Sequence, residues 1–247
     1  REDIGGTAES VSSITSDDLK TVWRSFYQPE SIVLTLAGDF DLDMLLGQLD
    51  DFLRRGSLSR PLPQRAGRLI LPEEPEWPAA PGRILRMDVK TPTFLVGIKD
   101  PSILPGREQV GRMLAMRQRA ARLYLDTLLS PVSELHDQLY GAGLINDSFD
   151  FHYSCEESYA YLICGGESTQ PDKAAETLIE GLINHFAKPA DPVLFEIQKR
   201  AAAGDFVRSL DSVDHSGMVE AQCSLNGIDL FDYPGIYDMI DFTTPII

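Results

Sequence analysis

The sequence predicts an α+β fold, a two-layer sandwich in which helices pack on one face of a mainly antiparallel sheet. Two observations lead to this fold class. The chain has 247 residues, of which 43% are hydrophobic, so it can bury a sizeable core. In addition, the elements predicted for residues 83–210 follow the order ββααββαα, which is typical of helices layered on an antiparallel sheet.

The N-terminal region predicts a helix, a strand and a second helix. Residues 12–26 combine first-turn acids at Asp17 and Asp18 with apolar residues at helical spacing, and Pro29 ends the helix. The apolar, β-branched run from Ser31 to Ala37 predicts a buried strand. Asp41 is then expected to cap a helix over residues 42–55.

A proline-rich segment separates this region from the rest of the chain. Six prolines fall within residues 61–81, which is typical of an extended inter-domain linker. We therefore predict three parts: residues 1–56, a linker over 57–82, and a second domain over 83–247.

The second domain is predicted from alternating apolar runs and capped helical stripes. The predicted strands are 83–90, 93–99, 148–153 and 159–164. The predicted helices are 107–129, 133–140, 171–187, 192–210 and 216–225. Five arginines lie in the long helix 107–129, while residues 209–247 hold seven acids and no Lys or Arg. A solvated helix, or one that partners the acidic segment, explains those arginines better than an anion site.

The composition excludes several classes of function. The chain has 22 Lys and Arg against 38 Asp and Glu, a formal net charge of −16, which disfavours nucleic acid and anionic membranes as partners. No apolar run is long enough to span a membrane. Three cysteines without C-x-x-C spacing argue against a disulfide framework and favour a reducing, cytoplasmic location.

Motifs for metal, phosphate or nucleophilic chemistry are weak or absent. The four histidines are too far apart for a helix with the H-x-x-E-H spacing of zinc peptidases. The acids at 39, 41 and 43 lack the Gly and Glu that complete a calcium loop, so turn and capping roles are expected. His152 and Cys155 should point to opposite faces of a strand, which disfavours a metal site with Cys164. The sequence contains neither G-x-S-x-G nor a phosphate-binding loop, although a dispersed catalytic triad stays open.

Two passages resemble a known family. The first joins the segment Gly6-Thr7-Ala8-Glu9-Ser10-Val11 to Phe26-Tyr27-Gln28-Pro29 and Leu36-Ala37-Gly38-Asp39. The second runs from Leu135 to Phe149 and includes Leu139-Tyr140-Gly141-Ala142-Gly143-Leu144. They resemble the end of the first domain and the middle of the second domain of pitrilysin-family zinc metallopeptidases, in the bacterial processing-protease branch. That family includes insulin-degrading enzyme and the mitochondrial processing peptidases.

The resemblance implies a portion of such a peptidase without its zinc-binding half. In that family zinc is held by the two His of H-x-x-E-H and a downstream Glu, which would all precede Arg1. Residues 1–56 would be a remnant of the first peptidase domain, and 83–247 an incomplete second, non-catalytic domain. Zinc would belong to the parent protein, with no metal or catalytic residue in this chain.

Four residues are the candidates for lining a substrate chamber. Where the family often has a substrate-contacting Arg and Tyr, this sequence has Tyr140 and Asn146. Between them, Gly143 and Leu144 would present backbone to an extended peptide. The expected partners are a peptide or protein substrate and either the missing catalytic half or a paralogous subunit; self-association through exposed strand edges is left open.

Three functions remain open from the sequence. The first is the non-catalytic part of a zinc metallopeptidase, forming one wall of its peptide chamber. The second is a natural inactive paralogue that serves as a binding or assembly subunit for an active peptidase. The third is an unrelated hydrolase with a dispersed triad. For the chain as given, we expect no peptidase activity even with added zinc.

Overall fold

The computed structural model describes residues 4–27, 32–55, 78, 80–103, 110–186 and 191–241. The chain divides into two compact units, residues 1–71 and 72–247. Most of the predicted linker, 57–82, lies outside the described residues.

The first unit holds three helices in its described part: α1 (Ala8–Ser12), α2 (Ser16–Phe26) and α3 (Leu42–Arg55). The predicted helix 12–26 corresponds to α2, which starts at Ser16 rather than at residue 12, and Ser12 is the last residue of α1. The side-chain oxygen of Thr15 accepts a hydrogen bond from the Asp18 amide at 3.2 Å, and the Thr15 amide donates to Asp18 Oδ2 at 2.9 Å, so this capping box starts α2. The predicted cap of α3 is confirmed, since Asp41 Oδ1 accepts from the Met44 amide at 2.9 Å.

The predicted strand at 31–37 is wrong over its described residues, because 32–37 form no strand. Ile32, Leu34 and Leu36 are exposed instead. A β-branched, apolar composition favours extended backbone, but a strand also needs a neighbouring strand to pair its amides and carbonyls.

The apolar faces of α2 and α3 are also exposed. Neither helix has a buried residue, although both are strongly amphipathic. The exposed large apolar side chains of these helices are Leu19, Val22, Trp23, Phe26, Leu42, Met44, Leu46, Phe52 and Leu53. Large exposed apolar patches mark protein or membrane contact sites, ligand grooves or aggregation-prone surfaces.

The second unit contains an antiparallel sheet of three strands in its described part: β1 (Thr93–Lys99), β2 (Asp150–Cys155) and β3 (Ala160–Glu167), in the order β1-β3-β2. Val96 pairs with Cys164, and Cys164 pairs with Phe151, so these three residues share the buried face. His152 lies on the opposite face, as the alternation of a strand predicts.

The predicted strand at 83–90 is also wrong, because these residues are described and form no strand. Ile84 is 85% exposed, and the Val89 amide donates locally to the Met87 carbonyl at 3.1 Å. The Val89 amide is therefore not available for the inter-strand hydrogen bonds of a β-sheet.

The helices of this unit are close to those predicted. They are α4 (Gly111–Leu129), α5 (Glu134–Gly141), α6 (Pro171–Phe186), α7 (Pro192–Ser209), α8 (Val213–Leu225) and α9 (Tyr233–Met239). Helix α8 begins before the predicted Ser216, because the Ser212 side chain accepts from the His215 amide and caps it. Helix α9 and the 3₁₀ turn Leu230–Asp232 before it were not predicted.

Helix α4 lies at the centre of the second unit. It packs against β2, α5, α7 and α9, while α6 packs against β1 and α5. Ala121 and Leu125 of α4 are fully buried in the main core. This arrangement is the predicted α+β layering of helices on one face of an antiparallel sheet.

Two arginines of α4, Arg119 and Arg122, lie over aromatic rings. The Arg119 guanidinium lies 4.7 Å from the centre of the Tyr233 ring, and that of Arg122 lies 4.4 Å from the Phe151 ring. One prediction was that this helix partners the acidic segment 209–247. Arg119 does contact that segment, but through the aromatic ring of Tyr233 rather than through a carboxylate. Its cationic plane is stabilised by the ring's negative face.

Candidate functional site

A cleft of about 380 Å³ opens beside α5. Its lining residues come from α5 and from the loops on either side of that helix: Pro131, His136, Asp137, Tyr140, Asn146, Asp147 and Phe149. All of the lining residues therefore lie within residues 131–149, a short segment centred on α5.

The orientation of α5 is fixed by its cap and by its buried face. The Ser133 hydroxyl accepts from the His136 amide and donates to the Leu128 carbonyl at 2.7 Å, which ties the start of the helix to the end of α4. Leu135 and Leu139 are buried in the core. With that face inward, His136 and Tyr140 lie together toward the cleft, because residues four apart share a helix face.

The end of α5 is a Schellman motif. The Leu144 amide donates to the Leu139 carbonyl at 3.0 Å, and the Gly143 amide donates to the Tyr140 carbonyl at 2.9 Å. Gly143 has φ of +66°, the left-handed conformation that this motif needs and that glycine adopts at little cost. The chain then turns back so that Asn146 and Asp147 face the end of the helix.

Three aromatic rings form one wall of the cleft. The rings of His136 and Tyr140 are stacked, with centroids 5.9 Å apart and planes inclined by 15°. The Phe149 ring meets His136 edge to face at 5.7 Å. Such arrangements place the negative face of one ring near the positive edge of the next and hold the rings in fixed positions.

Polar groups complete the cleft. The Tyr140 hydroxyl donates to Asp147 Oδ1 at 3.2 Å, and Asn146 Oδ1 accepts from the Ser148 amide at 2.8 Å. Within the described residues, the buried Nδ1 of His136 has no hydrogen-bond partner. Asp137 adds a second carboxylate, and no Lys or Arg is among the lining residues.

The four sequence-predicted site residues occupy two different positions. Tyr140 and Asn146 line the cleft, whereas Gly143 and Leu144 are not among its lining residues. The Leu144 side chain is buried in the core, and Gly143 is exposed on the turn. Any contact of these two with a peptide would therefore involve their backbone, as the sequence argument supposed.

Sequence reasoning missed several residues of the cleft, namely His136, Asp137, Asp147, Phe149 and Pro131. One signal was available, because His136 and Tyr140 are four residues apart on a predicted helix. The approach of Phe149 and Asp147 depends on the turn after Gly143, which spacing alone does not predict.

The described residues do not fit a zinc site. They contain no group of three or more His, Cys, Asp or Glu that could hold a metal. His185 Nδ1 is 2.7 Å from the Gly181 carbonyl oxygen on its own helix, and His152 lies on the sheet face opposite Cys155. Zinc ligands must converge on one point, and these side chains do not.

Comparison with protein families identifies the chain. Residues 13–202 match the family described as the Peptidase M16 inactive domain. The chain belongs to the M16 peptidase family. The match confirms the predicted pitrilysin-family membership and the prediction that this portion is non-catalytic.

Known relatives agree with this assignment. The chain is 26% identical over 243 residues to a Bacillus subtilis protein named "Uncharacterized zinc protease YmfH", covering 97% of this chain and 54% of that protein. The crystal structure of a putative M16-like peptidase from Alicyclobacillus acidocaldarius superposes with a TM-score of 0.85 at 26% identity, covering 98% of this chain and 56% of the other. A protease from Helicobacter pylori shares the fold, with a TM-score of 0.72 at 16% identity over 96% of this chain and 56% of the other.

The chain thus spans little more than half the length of these relatives. Among its described helices, none has both the length and the apolar character needed to cross a membrane.

Proposed function

We propose that this M16 portion forms one wall of a peptide-binding chamber and that the cleft beside α5 contacts the substrate polypeptide. The observation that carries the proposal is the cleft itself, which combines aromatic surface with a few polar groups. The described residues contain no cluster that could hold a metal, so a binding role fits the cleft better than a metal-dependent one. Concave, largely preformed surfaces of this composition are typical of ligand sites.

Binding of an unfolded polypeptide tests this role. Fluorescence anisotropy of a labelled, reduced and alkylated casein fragment would measure its affinity for the 247-residue chain. Tyr140→Ala and Asn146→Ala should each weaken binding about fivefold, since each removes one contact group. Tyr159→Ala is the matched control, because Tyr159 is 48% exposed, as against 49% for Tyr140, and is not among the lining residues. Equal effects at Tyr140 and Tyr159 would contradict the proposal.

We also propose that residues 1–56 are a remnant of the first peptidase domain, joined by the linker 57–82 to a second domain over 83–247. The exposed apolar faces of α2 and α3 support this role, because amphipathic helices with no buried residue leave apolar side chains that a covering layer would bury. The zinc-bearing half of the peptidase is the proposed covering partner, and the chain's three free, buried cysteines fit a reducing, cytoplasmic setting.

Reconstitution tests the covering partner. The zinc-bearing half would be expressed as a separate polypeptide and mixed with this chain, and hydrolysis of a fluorogenic peptide would be followed. Trp23→Glu should weaken the association of the two polypeptides at least about tenfold, because it places a charge in the apolar face of α2. Weaker association would appear as a higher concentration of this chain needed to restore hydrolysis. Lys20→Glu on the same helix should have little effect, because Lys20 and its ion-pair partner Asp17 are both largely exposed.

The second candidate, an inactive paralogue that assembles with an active peptidase, rests on the same apolar faces. The two candidates differ in where the zinc motif is encoded. Sequencing the gene upstream of Arg1 separates them: H-x-x-E-H in the same reading frame favours the first, and its absence favours a paralogous subunit.

A further inference from the structure

We propose that the cleft beside α5 is a subsite for a basic side chain, Arg or Lys, of the bound polypeptide. The inference rests on the proposed function in one respect, namely that the ligand is a polypeptide. It goes further by assigning the chemistry of the residue that enters the cleft.

The charge of the cleft favours a cationic ligand. Two carboxylates, Asp137 and Asp147, line the cleft, and no Lys or Arg does. Both acids are exposed, and neither takes part in a salt bridge among the described residues. A cation entering the cleft therefore meets two carboxylates that no basic residue neutralises.

The aromatic wall of the cleft also favours a basic side chain. His136, Tyr140 and Phe149 present ring surface to the same space as the two acids. Aromatic faces attract a cation through the ring quadrupole, most strongly when some water is displaced. The same rings give an apolar surface to the methylene stem of Lys or Arg, so the stem and the charged head are both accommodated.

The hydrogen bond between Tyr140 and Asp147 fixes one carboxylate beside the rings. The Tyr140 hydroxyl donates to Asp147 Oδ1, which holds this carboxylate at the edge of the stacked rings and leaves the other oxygen, Oδ2, available to accept. A carboxylate fixed by one hydrogen bond loses less side-chain freedom when a ligand binds. Carboxylate and ring thus form one preorganised corner that suits a guanidinium or ammonium group.

The alternative ligand classes fit less well. An anionic side chain would meet two uncompensated carboxylates within a protein of net charge −16. A purely apolar side chain would use the rings but would require that water around both acids be displaced without compensation.

A matched pair of peptides tests the assignment. Two labelled, unstructured peptides would be compared on the full 247-residue chain by fluorescence anisotropy at low ionic strength, one with a single arginine and one with citrulline in its place. Citrulline keeps the shape of arginine and removes the charge. The arginine peptide should bind about tenfold more tightly, and the difference should shrink at high salt.

Charge-neutralising variants locate the effect. Asp147→Asn keeps an oxygen that can accept from Tyr140, so it removes the charge with little change of structure. It should reduce the preference for arginine about fivefold, and Asp137→Asn should act in the same direction. Asp150→Asn is the control, because Asp150 is an exposed acid of the same domain that does not line the cleft. It should leave the preference unchanged, and thermal melts would show that every variant is folded.

Each outcome bears on one proposal or the other. Equal binding of the two peptides would overturn the basic-residue subsite and leave the polypeptide-binding role intact. A preference that survives in the Asp137→Asn, Asp147→Asn double variant would overturn it as well, because the cation would then bind elsewhere. Failure of wild-type chain to bind either peptide would overturn both the subsite and the peptide-wall role.

Discussion

Arg117 of α4 donates from Nη2 to Asp100 Oδ2 at 2.5 Å and so joins the central helix to the end of β1. The two side chains are only 10% and 3% exposed. Asp100 also accepts from the Tyr153 hydroxyl at 2.6 Å and from the Ser102 amide and hydroxyl. One buried carboxylate therefore links the helix layer, two strands and the loop after β1.

Removing this carboxylate should strongly destabilise the second unit. Asp100→Ala leaves the Arg117 guanidinium buried without its carboxylate, and we expect a loss of about 3–5 kcal/mol in the free energy of unfolding. Urea denaturation measures it. The control is Asp205→Ala, which breaks the exposed pair with Arg208 and should cost less than about 1 kcal/mol. Similar losses in the two variants would contradict the structural role of Asp100.

The same carboxylate should make stability depend on pH in the acid range. Burial alone would raise the pKa of Asp100, but hydrogen bonds from Ser102, Tyr153 and Arg117 outweigh it and lower the pKa below its ordinary value. Because the folded-state pKa is depressed, the stabilisation is present above the unfolded-state pKa of about 3.9 and is lost as pH falls through the folded value. Denaturation curves at several acid pH values should show a steeper loss for wild type than for Asp100→Ala. Parallel curves would exclude this contribution.

Replacing either of two glycines of the sheet by alanine should change the stability of the protein by different amounts. At Gly165 a Cβ would lie 2.1 Å from the Phe94 carbonyl oxygen of the adjacent strand, so Gly165→Ala must separate β3 from β1 and should cost about 3 kcal/mol or more. At Gly97, on β1, a Cβ would meet nothing within 4 Å. Gly97→Ala should therefore be neutral or stabilise by about 0.5 kcal/mol, because it reduces the freedom of the unfolded chain. Thermal denaturation of both variants checks the pair, and a neutral Gly165→Ala would refute the close strand contact.

The three cysteines should react slowly in the native state. All are free and buried, and burial raises the pKa of Cys155 to about 11 and that of Cys164 to about 12. Since only the thiolate is a good nucleophile, both thiols stay protonated near neutral pH. Titration with Ellman's reagent should give almost no fast reaction in buffer and all three thiols in denaturant. A rapidly reacting thiol in the native protein would contradict their burial.

The chain alone should not hydrolyse peptides, with or without added zinc. Among the described residues no side-chain cluster could hold the metal. A fluorogenic peptide assay with added Zn²⁺ checks this, with a chelator as the control. Hydrolysis that the chelator abolishes would show that a metal site exists after all.

Secondary structure in the second unit was predictable where a segment carries its own signals. The Asp191 side chain caps α7 by accepting from the Val193 and Leu194 amides, and Pro192 follows it at the first helical position. These signals are local, so the sequence predicts them. The predicted strand 83–90 was wrong, as was the predicted strand 31–37 of the first unit over its described residues 32–37, because a strand requires a partner and the partner is not encoded in the segment itself.

Some residues of the candidate site were likewise predictable from the sequence, and others were not. Tyr140 and Asn146 were found through their resemblance to a family motif, whereas His136 carried no signal beyond its spacing from Tyr140. The positions of Asp147 and Phe149 opposite that helix follow from the Schellman turn at Gly143, which brings together residues that sequence spacing leaves apart.

The sequence by itself determined the α+β class, the acidic balance and the M16 resemblance, because hydrophobic periodicity, charge and motifs are local or additive properties. Only the tertiary structure decided which apolar segments are paired or exposed and which carboxylates are buried, as at Asp100, or exposed, as at Asp147. Burial and pairing depend on neighbours far away in the chain, and a carboxylate's role depends on them.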